Sequence, residues 1–439
     1  MKMRADNLFG QGLESLESRT LMAAVPLNVV SLGTQLKIIG TAGNDQISIK
    51  YSGSNLLITN TGGWSTTVAG TFKTIVVDGG AGNDAIGLDA TITQNAVLYG
   101  SAGNDTLVGG SGNDRIYGGD GTDSSNGGAG NDVIVSIGGT GLDKCIGGAG
   151  TDSFWADTTD TITDAVAAET AVGAVHRVNN FMFNVSKELL GQSIGDSKTT
   201  SSSYVYHRFA NNPLFSDAGP SPDDVHQGAV GDCYFLSVLS SVAKTDPQLI
   251  RQSVVDLGDG TYAVQFTQGT TKTFVRVDAD LPAYSWGGLA YAGVGAQSSM
   301  WVAIMEKAFT VFRYSAGTYA SISSGWMSEV YADLGKTSFN AYTSTSAAWL
   351  MQTVQTALAG GKSVTFAVSK APSGAPLIGS HAYMVQSVVF DSKGKVSGLR
   401  LRNPWGIDGA GNDGLNDGYV TITAAQAQAA LLGLSTSIV

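Results

Sequence analysis

The chain has 439 residues, enough for two or three domains that each bury a core of their own. Only 14% of the residues are charged and 58 are glycine, far above the average glycine usage of about 7%. Residues 40–160 contain 13 Asp, four Lys or Arg and no Glu, and carry most of the net charge of −11. This local acidity indicates a cation as partner and excludes the basic surface that binds nucleic acid.

Cysteine content and hydropathy exclude two further classes of protein. Cys145 and Cys233 are the only cysteines and occur in segments of opposite character, which argues against a disulfide framework. No apolar run approaches the roughly 18 to 20 residues that a transmembrane helix needs. We therefore expect a protein without a membrane span.

Residues 1–28 are predicted to be a leader or a disordered tail. They carry Lys2 and Arg4 but lack the unbroken apolar region of a secretory signal peptide. The run LESRTLM at residues 16–22 resembles the LE-x-R-x-L-(L/M) leader common on exported proteins of planctomycete bacteria. The resemblance implies an exported bacterial protein, located outside the cell or at its surface. A disordered tail is the alternative interpretation.

A nine-residue repeat follows the tail. Isolated copies begin at residue 40 (GTAGNDQISI) and residue 79 (GGAGNDAIGL), and a continuous array starts at Gly100 with GSAGNDTLV, GGSGNDRIY, GGDGTDSSN and GGAGNDVIV. Two further copies come after a two-residue insertion. The array places an aspartate at the same point of every copy: Asp105, Asp114, Asp123, Asp132, Asp143 and Asp152.

The repeat matches the pattern G-G-x-G-x-D-x-U-x, in which U is apolar, and resembles the RTX family of calcium-binding nonapeptide repeats. Glycines permit tight turns, and facing carboxylates favour a hard cation such as Ca²⁺. We predict a parallel β-roll over residues 29–155 whose aspartates bind Ca²⁺. Ser124 is assigned to the U position of the third repeat, where it weakens one turn. The other U positions are predicted to fill a narrow core: Leu107, Ile116, Ile134, Cys145 and Phe154.

The alternative interpretation of residues 29–155 is a glycine-rich linker, but a linker needs no register. The repeat ends near residue 155, and residues 156–204 have no clear period and finish with KTTSSSY. We predict a linker there. From residue 205 the composition is that of a globular α+β enzyme, which we divide into a helical subdomain (205–340) and a β-rich subdomain (341–439).

The helical subdomain contains the run QGAVGDCYFLSVLSSVA at residues 227–243. Its apolar spacing predicts an amphipathic helix that begins at Cys233, with Asp232 as the N-cap. A thiol at a helix N-terminus has a lowered pKa and is a better nucleophile. Further along, TYAVQFTQ and KTFVRVDADL are predicted strands and WVAIMEKAFTVF at residues 301–312 is a predicted buried helix.

The β-rich subdomain is predicted to begin with a helix that ends at Gly360. Four strands follow, SVTFAVS, HAYMVQSVVFD, VSGLRLRNPW and GYVTITA, and then a final helix, AAQAQAALLG. His381 begins the second of these strands, where an imidazole can project into a cleft and act as a base for Cys233. Asn403 ends the neighbouring strand and can fix the imidazole tautomer. Near them, Trp405 can exclude water.

Gln227 lies six residues before Cys233 and can join the backbone N–H of Cys233 in an oxyanion hole. The motifs QGxxGDCxFL, WVAIMEKAF, SHAYMV and LRNPWG, in this order, resemble the calpain family of papain-like cysteine proteases over residues 214–406. The resemblance implies a papain-like fold with a cleft between its subdomains. The family's catalytic residues fall on Cys233, His381 and Asn403. Its oxyanion glutamine falls on Gln227 and its shielding tryptophan on Trp405.

Animal calpains also bind Ca²⁺ within this core. Asp224 and Glu306 fall where acidic ligands of one such site would be, and Asp223 competes with Asp224 for that role. Tyr234 stands where animal calpains have tryptophan. The glycine-rich IDGAGNDGLNDG after NPWG replaces an acidic segment of the family, so a second core calcium site is not expected.

Together these features predict an exported calcium-binding cysteine endopeptidase that hydrolyses protein or peptide substrates through a Cys-His-Asn triad. Two alternatives remain open. One is a calcium-dependent surface- or matrix-binding protein whose protease domain is inactive. The other is a Cys-His acyl transferase of transglutaminase type, which would pass the acyl group to an amine instead of water.

Overall fold

The computed structural model describes residues 26–139, 141–187, 194, 196–342, 346–410 and 415–438. All but the last three residues of the predicted leader lie outside these ranges. Within them, no helix is long and apolar enough to cross a membrane. An amino-terminal roll is followed by a mixed α+β region.

The roll consists of short strands and one short helix. Its elements are β1 (Asn28–Leu32), β2 (Gln35–Ile39), β3 (Gln46–Ser52), β4 (Asn55–Thr59), β5 (Ser65–Val68), β6 (Thr74–Asp78), β7 (Ala85–Leu88), β8 (Asn95–Ala102), β9 (Thr106–Val108), β10 (Arg115–Asp120), β11 (Ser124–Ala129), β12 (Val133–Ser136), β13 (Lys144–Ala149), β14 (Ser153–Asp157), β15 (Thr161–Ile162), α1 (Ala167–Ala171) and β16 (Val175–Val178).

These strands form two eight-stranded sheets, which confirms the predicted parallel β-solenoid. The first sheet has the order β1-β2-β6-β8-β10-β12-β14-β16 and the second has the order β15-β13-β11-β9-β7-β3-β4-β5. From β6 onward successive strands alternate between the sheets, and neighbours within each sheet are parallel. Antiparallel pairs join β1 to β2, β3 to β4 and β4 to β5 near the amino-terminal end.

Glycine and apolar residues make this stacking possible. Gly121 has a φ of +133°, and a Cβ atom there would overlap the carbonyl oxygen of Gly103 in the next turn of the roll. Only glycine allows turns to approach so closely. The predicted core residues are confirmed, because all are fully buried in one hydrophobic cluster: Leu107, Ile116, Ile134, Cys145 and Phe154.

The assignment in the third repeat is wrong by one residue. Ser125, not Ser124, pairs with Leu107 and Cys145 in the neighbouring strands, and it is 2% exposed. The U position is the second residue after the aspartate, and two serines follow Asp123. Because adjacent strand residues face opposite sides of a sheet, Ser124 lies on the outer side of the roll.

The segment predicted to be a linker, residues 156–204, differs from that expectation at its start. Strand β15 pairs with β13, and β16 pairs with β14, so the roll continues to Val178 without the nonapeptide signature. A strand edge offers unpaired backbone groups to any following strand, and this pairing leaves no periodic signal in the sequence. The division of the chain into domains at residues 204 and 340 stays a prediction.

The second region contains the remaining elements. They are β17 (Val205–Arg208), α2 (Cys233–Thr245), α3 (Pro247–Arg251), β18 (Val254–Asp256), β19 (Thr261–Gln268), β20 (Thr271–Asp278), β21 (Asp280–Ala283), α4 (Trp301–Phe312), α5 (Met327–Asp333), β22 (Thr337–Tyr342), α6 (Ala347–Ala359), β23 (Val364–Val368), β24 (His381–Phe390), β25 (Val396–Arg402), β26 (Tyr419–Thr423), α7 (Ala424–Ala430) and β27 (Leu431–Ile438).

These strands form a two-stranded sheet (β17-β21), a three-stranded sheet (β18-β19-β20) and a six-stranded sheet (β22-β27-β23-β24-β25-β26). The predicted helices at Cys233 and at residues 301–312 are confirmed by α2 and α4. The predicted final helix is shorter than expected, since α7 ends at Ala430 and β27 follows. Strand β27 pairs on both sides, with β22 and β23, and these backbone hydrogen bonds outweigh the helical preference of its leucines.

Helix α2 lies between the helical core and the six-stranded sheet. Its residues from Tyr234 to Ala243 are all buried, including serines that bond to neighbouring backbone. The hydroxyl of Ser241 donates to the carbonyl oxygen of Val364 (3.1 Å) and accepts from the Val364 amide (2.8 Å). The helix also packs on β24, which brings the beginnings of α2 and β24 to one edge of the sheet.

Candidate active site

Cys233 is the first residue of α2, as predicted. Asp232 occupies the N-cap position but makes no side-chain capping bond. The pKa of the Cys233 thiol is raised to about 11, mainly by burial and also by the nearby Asp232 carboxyl. The backbone amides of Ala382, Tyr234 and Cys233 lower that pKa, so the predicted effect of the helix N-terminus is present, but burial outweighs it.

The predicted His-Asn contact is present in the structure. The Nε2 atom of His381 lies 2.9 Å from the Oδ1 atom of Asn403, and both side chains are buried. Asn403 is itself fixed, because its Oδ1 accepts from the Trp405 amide (3.0 Å) and its Nδ2 donates to the Asp408 carbonyl oxygen (3.2 Å). Burial lowers the pKa of His381, and the Asn403 contact opposes this.

Aromatic rings enclose the His381 imidazole. The Trp405 ring lies 4.9 Å from it at 50°, and the Tyr383 ring lies 5.0 Å from it at 89°, edge to face. The predicted shielding position of Trp405 therefore agrees with its place in the structure. Because Asn403 contacts Nε2, the ring nitrogen left for another partner is Nδ1.

The thiol lies beside the strand that carries the imidazole, and the Ala382 amide is within hydrogen-bonding contact of the sulfur. No hydrogen bond joins Cys233 to His381, although both residues belong to the described part of the chain. The thiol and the imidazole are each neutral near pH 7, because burial shifts both pKa values toward the uncharged forms.

Gln227 bridges the two subdomains through its backbone. Its amide donates to the Pro404 carbonyl oxygen (2.7 Å), and its side-chain Nε2 donates to the Val230 carbonyl oxygen (2.7 Å). The Gln227 side chain also hydrogen-bonds the Asp232 carboxyl, which lowers the pKa of that carboxyl. The Oε1 atom is buried without a hydrogen-bond partner.

A buried pair of carboxyl groups lies under the nucleophile. Asp232 and Glu306 are 0% and 1% exposed, and each affects the titration of the other through a side-chain contact. Burial raises the pKa of Asp232 to about 7 and raises the pKa of Glu306 still further above its usual range. Two such groups hold one proton between them near neutral pH. The sequence signal that could have indicated this pair is Glu306, the one acidic residue in the apolar run WVAIMEKAFTVF.

The predicted core calcium ligands do not come together. The Asp224 carboxylate accepts three N–H groups, from Ser221 (2.9 Å), Ala296 (2.9 Å) and the Trp301 indole (2.8 Å), while Glu306 contacts Asp232. These N–H donors occupy the positions that a cation would need. The described residues contain no cluster of three or more His, Cys, Asp or Glu able to hold a metal.

Asp223, the competing candidate, binds an arginine and a tyrosine of the protein instead. Its Oδ1 accepts from the Nε atom of Arg402 (3.1 Å) and from the Tyr419 hydroxyl (2.7 Å). Arg402 also donates to the Val225 carbonyl oxygen (3.1 Å). These contacts hold the loop before Gln227 on the β-rich subdomain, a function that direct ion pairing can serve without a metal.

The roll carboxylates form two ladders of backbone hydrogen bonds. Each carboxylate after the first in its ladder accepts, with one oxygen, the amide of the ladder residue one turn before it, as in the bond from the Asp105 amide to Asp123 Oδ1 (2.8 Å). One ladder contains Asp45, Asp84, Asp105, Asp123, Asp143 and Asp160, and the other contains Asp114, Asp132, Asp152 and Glu169.

The second oxygen of most ladder aspartates fits a bound cation. It is buried without a hydrogen-bond partner in Asp84, Asp105, Asp123, Asp132 and Asp152. An unpartnered buried carboxylate oxygen is costly, and burial raises the pKa of Asp105 to about 6 and of Asp132 to about 7. Hard oxygen ligands of this kind suit Ca²⁺.

Two predicted ligands differ from the others, and four ladder members were missed. Asp114 Oδ2 accepts the Gly110 amide (2.7 Å), and Asp143 Oδ2 is not among the unpartnered atoms. Asp45, Asp84, Asp160 and Glu169 join the ladders from outside the continuous array. Asp45 and Asp84 could have been found, since they belong to the isolated copies GTAGNDQISI and GGAGNDAIGL, whereas Asp160 and Glu169 carry no repeat signature.

Comparison with known proteins finds a family match in each of the two regions. Residues 181–414 match the family described as "Calpain family cysteine protease", and residues 99–134 match the "RTX calcium-binding nonapeptide repeat (4 copies)". The repeats are thus calcium-binding repeats of the RTX type.

Curated relatives agree with the first match. The chain is 30% identical over 219 residues to the calpain-2 catalytic subunit of Bos taurus, covering 45% of this chain and 30% of that protein. It is 27% identical over 229 residues to calpain-A of Drosophila melanogaster, covering 48% and 27%, and 30% identical over 214 residues to calpain-12 of Homo sapiens, covering 46% and 29%. The chain spans no more than 30% of the length of these relatives. Because the protease match covers more than half of its residues, the chain belongs to the calpain family of cysteine proteases.

Proposed function

We propose that this chain is an exported, calcium-binding cysteine endopeptidase that uses Cys233, His381 and Asn403 as its catalytic triad. The observation that carries the proposal is the 2.9 Å contact between His381 Nε2 and Asn403 Oδ1 at the edge where α2 begins. This contact orients the imidazole and leaves Nδ1 for the thiol. The same three residue types serve as nucleophile, base and orienting group in papain-like proteases.

The reaction would begin with proton transfer inside the cleft. Since burial favours the neutral thiol, Cys233 becomes a thiolate when His381 Nδ1 takes its proton. The thiolate attacks the scissile carbonyl carbon, and the imidazolium then protonates the leaving amine. Water, activated by the same imidazole, hydrolyses the thioester and restores the thiol.

The negative oxygen of the tetrahedral intermediate would be held by two donors. One would be the Cys233 amide at the N-terminus of α2, and the other would be the Nε2 group of Gln227. The bond from Nε2 to the Val230 carbonyl oxygen (2.7 Å) holds the amide of Gln227 in a fixed plane. Trp405 would keep water away from the His381–Asn403 contact.

In this proposal, the roll is the part of the chain that binds calcium. Asp105, Asp123, Asp132 and Asp152 would each contribute a buried oxygen that has no hydrogen-bond partner, while Asp114 and Asp143 complete the ladders. A bound Ca²⁺ would supply positive charge that neutralises the stacked carboxylates. We make no assignment of calcium to Asp224 and Glu306.

Export is also part of the proposal. Its support is the leader-like run at residues 16–22 and the RTX-type repeats, whose binding of Ca²⁺ suits the high calcium concentrations outside cells. Calcium sites of extracellular modules have dissociation constants on the order of 10⁻⁴ to 10⁻³ M. Cell fractionation of the producing organism tests this point, and retention of the protein in the cytoplasm would contradict it.

The catalytic proposal is tested with casein as substrate in the presence of Ca²⁺. Cys233→Ser should lower the rate by about 10³-fold or more, because a serine hydroxyl is a poor nucleophile without a tuned base. Cys145→Ala, which alters the other cysteine in the roll core, is the matched control and should keep most of the activity. Casein cleavage by Cys233→Ser at the wild-type rate would refute the triad. Adding a primary amine to this assay separates hydrolysis from acyl transfer of the transglutaminase type.

One observation favours a second candidate function, a binding protein with an inactive protease domain. The Cys233 thiol has a raised pKa and no hydrogen bond to His381 in the described structure. Iodoacetamide labelling at pH 7 discriminates the two, since an active cleft should label Cys233 far faster than the buried Cys145. Equal slow labelling of both cysteines, together with no cleavage of casein, would favour the binding protein.

A further inference from the structure

The outer face of the first roll sheet carries a row of large residues in register. Tyr99, Tyr117, Val135, Trp155 and His176 are direct neighbours on β8, β10, β12, β14 and β16. Each of the first four follows a residue of the roll core, so it points away from that core. Trp155 and His176 are nonetheless 0% exposed, which means that something other than the roll covers them.

The cover is the three-stranded sheet of the protease region. Its residues Val255, Leu257, Ala263 and Phe274 share one hydrophobic cluster with the roll residues of the row. The Trp155 ring stacks on the imidazole of His176 at 3.8 Å and meets the Phe274 ring edge to face at 6.1 Å. The contact is therefore a packed core and not a loose approach between domains.

Polar groups fix the register of this contact. The ring nitrogens of His176 lie 2.9 Å and 3.3 Å from the side-chain oxygens of Gln265 and Gln252. The Ser153 hydroxyl donates to the same Gln252 oxygen (2.7 Å). Gly258 lies flat on the Tyr117 ring, where a Cβ atom would stand 2.8 Å from a ring carbon. Buried polar contacts of this kind are costly to leave unmade, so the two surfaces are matched to each other.

The opposite face of the three-stranded sheet lies on the catalytic helices. Along β19, Tyr262, Val264 and Phe266 belong to the cluster that contains the apolar residues of α2 and α4, whereas Ala263 and Gln265 face the roll. A sheet of three strands with two apolar faces needs a partner on each side to be stable. The roll is one of these partners.

The strands themselves connect the ladder aspartates Asp114, Asp132 and Asp152 to this interface. Strands β10, β12 and β14 begin directly after Asp114, Asp132 and Asp152 and carry Tyr117, Val135 and Trp155 three residues later. If one ladder aspartate becomes more or less ordered, the change therefore reaches the interface through a single strand. No flexible connection intervenes.

We propose that the outer face of the first roll sheet is the docking surface of the protease, and that calcium bound by the roll orders the three-stranded sheet and the helix that carries Cys233. This inference rests on the calcium binding proposed above for the ladder. It assigns the roll a direct structural role in the enzyme, beyond holding ions. The roll and the protease then respond to calcium as one unit.

Amide hydrogen exchange on the full-length protein, with Ca²⁺ and with excess EDTA, tests the proposal. In the wild type, Ca²⁺ should slow exchange in residues 261–278 by about tenfold or more, along with exchange in residues 100–157. In Trp155→Ala the roll should keep its response, while residues 261–278 should lose most of theirs. Tyr51→Ala, an aromatic truncation on the roll away from the protease, is the matched control and should behave as the wild type.

Phe274→Leu is a second variant, on the protease side of the interface. It keeps the proposal testable if Trp155→Ala misfolds the roll. It removes the aromatic contacts with Trp155 and His176, and it should weaken the calcium response of residues 261–278 without changing that of the roll. A roll that responds to Ca²⁺ while residues 261–278 do not, or an equal response in wild type and both variants, would overturn the coupling. A roll whose exchange ignores Ca²⁺ would instead overturn the calcium binding on which the coupling rests.

Discussion

The roll and the protease region both bury carboxyl groups, but they satisfy them in opposite ways. In the roll, aspartates such as Asp105 and Asp132 use one oxygen for a backbone amide and leave the other without a partner. In the protease region, Asp224 receives three N–H donors, and Asp232 and Glu306 face each other. The roll aspartates therefore leave an oxygen for a cation from outside, whereas Asp224 is satisfied by donors of the protease region itself.

This difference shows why an aspartate in a sequence does not by itself identify a calcium site. Asp224 and Asp132 are both acidic and almost fully buried. What separates them is the number of N–H groups that the surrounding backbone and side chains direct at the carboxylate. In the repeated turns, the carboxylates of Asp105 and Asp132 each receive one backbone amide.

Removal of calcium should have the largest effect and should act on the roll. We expect excess EDTA to abolish most of the β structure of residues 100–155, because every site at a calcium concentration 100-fold above its dissociation constant adds about 2.7 kcal/mol to the free energy of unfolding. Circular dichroism with and without Ca²⁺ measures this. Mg²⁺ at the same concentration is the control and should restore less. A spectrum unchanged by EDTA would contradict the comparison.

Breaking the buried pair should have the next largest effect and should act on the protease region. Glu306→Ala leaves Asp232 buried without its partner and should lower the free energy of unfolding by about 3 kcal/mol. Glu306→Gln keeps the volume and a donor for Asp232, so it should cost less than about 1 kcal/mol. Urea denaturation in saturating Ca²⁺ compares the two. Equal losses would mean that volume, and not the shared proton, is what matters at this site.

Much of the molecule could be predicted from sequence because its signals are local. The nine-residue period predicted the roll, and the order of four motifs indicated a cleft containing Cys233, His381 and Asn403. The N–H contacts of Asp224 could not be predicted, since the Ala296 amide and the Trp301 indole reach it from residues more than 70 positions away. The contact between the outward row of the roll and the three-stranded sheet could not be predicted for the same reason. Tyr117, Val135 and Trp155 stand at outward positions, which a roll alone would leave in water.

The smallest effect should come from the one polar residue in the core of the array. Ser125 lies between Leu107 and Cys145, where a larger apolar side chain is expected. Ser125→Val adds apolar surface that the roll can bury and removes a buried hydroxyl, so it should stabilise the calcium-bound roll by about 1 kcal/mol. The matched control is Ser124→Val, one residue earlier on the outer side, which should change stability by less than about 0.5 kcal/mol. Thermal unfolding at a fixed Ca²⁺ concentration ranks the two variants. If Ser124→Val were the more stabilising, the strand register of the third repeat would be reversed, and with it the inward direction of every core position in the array.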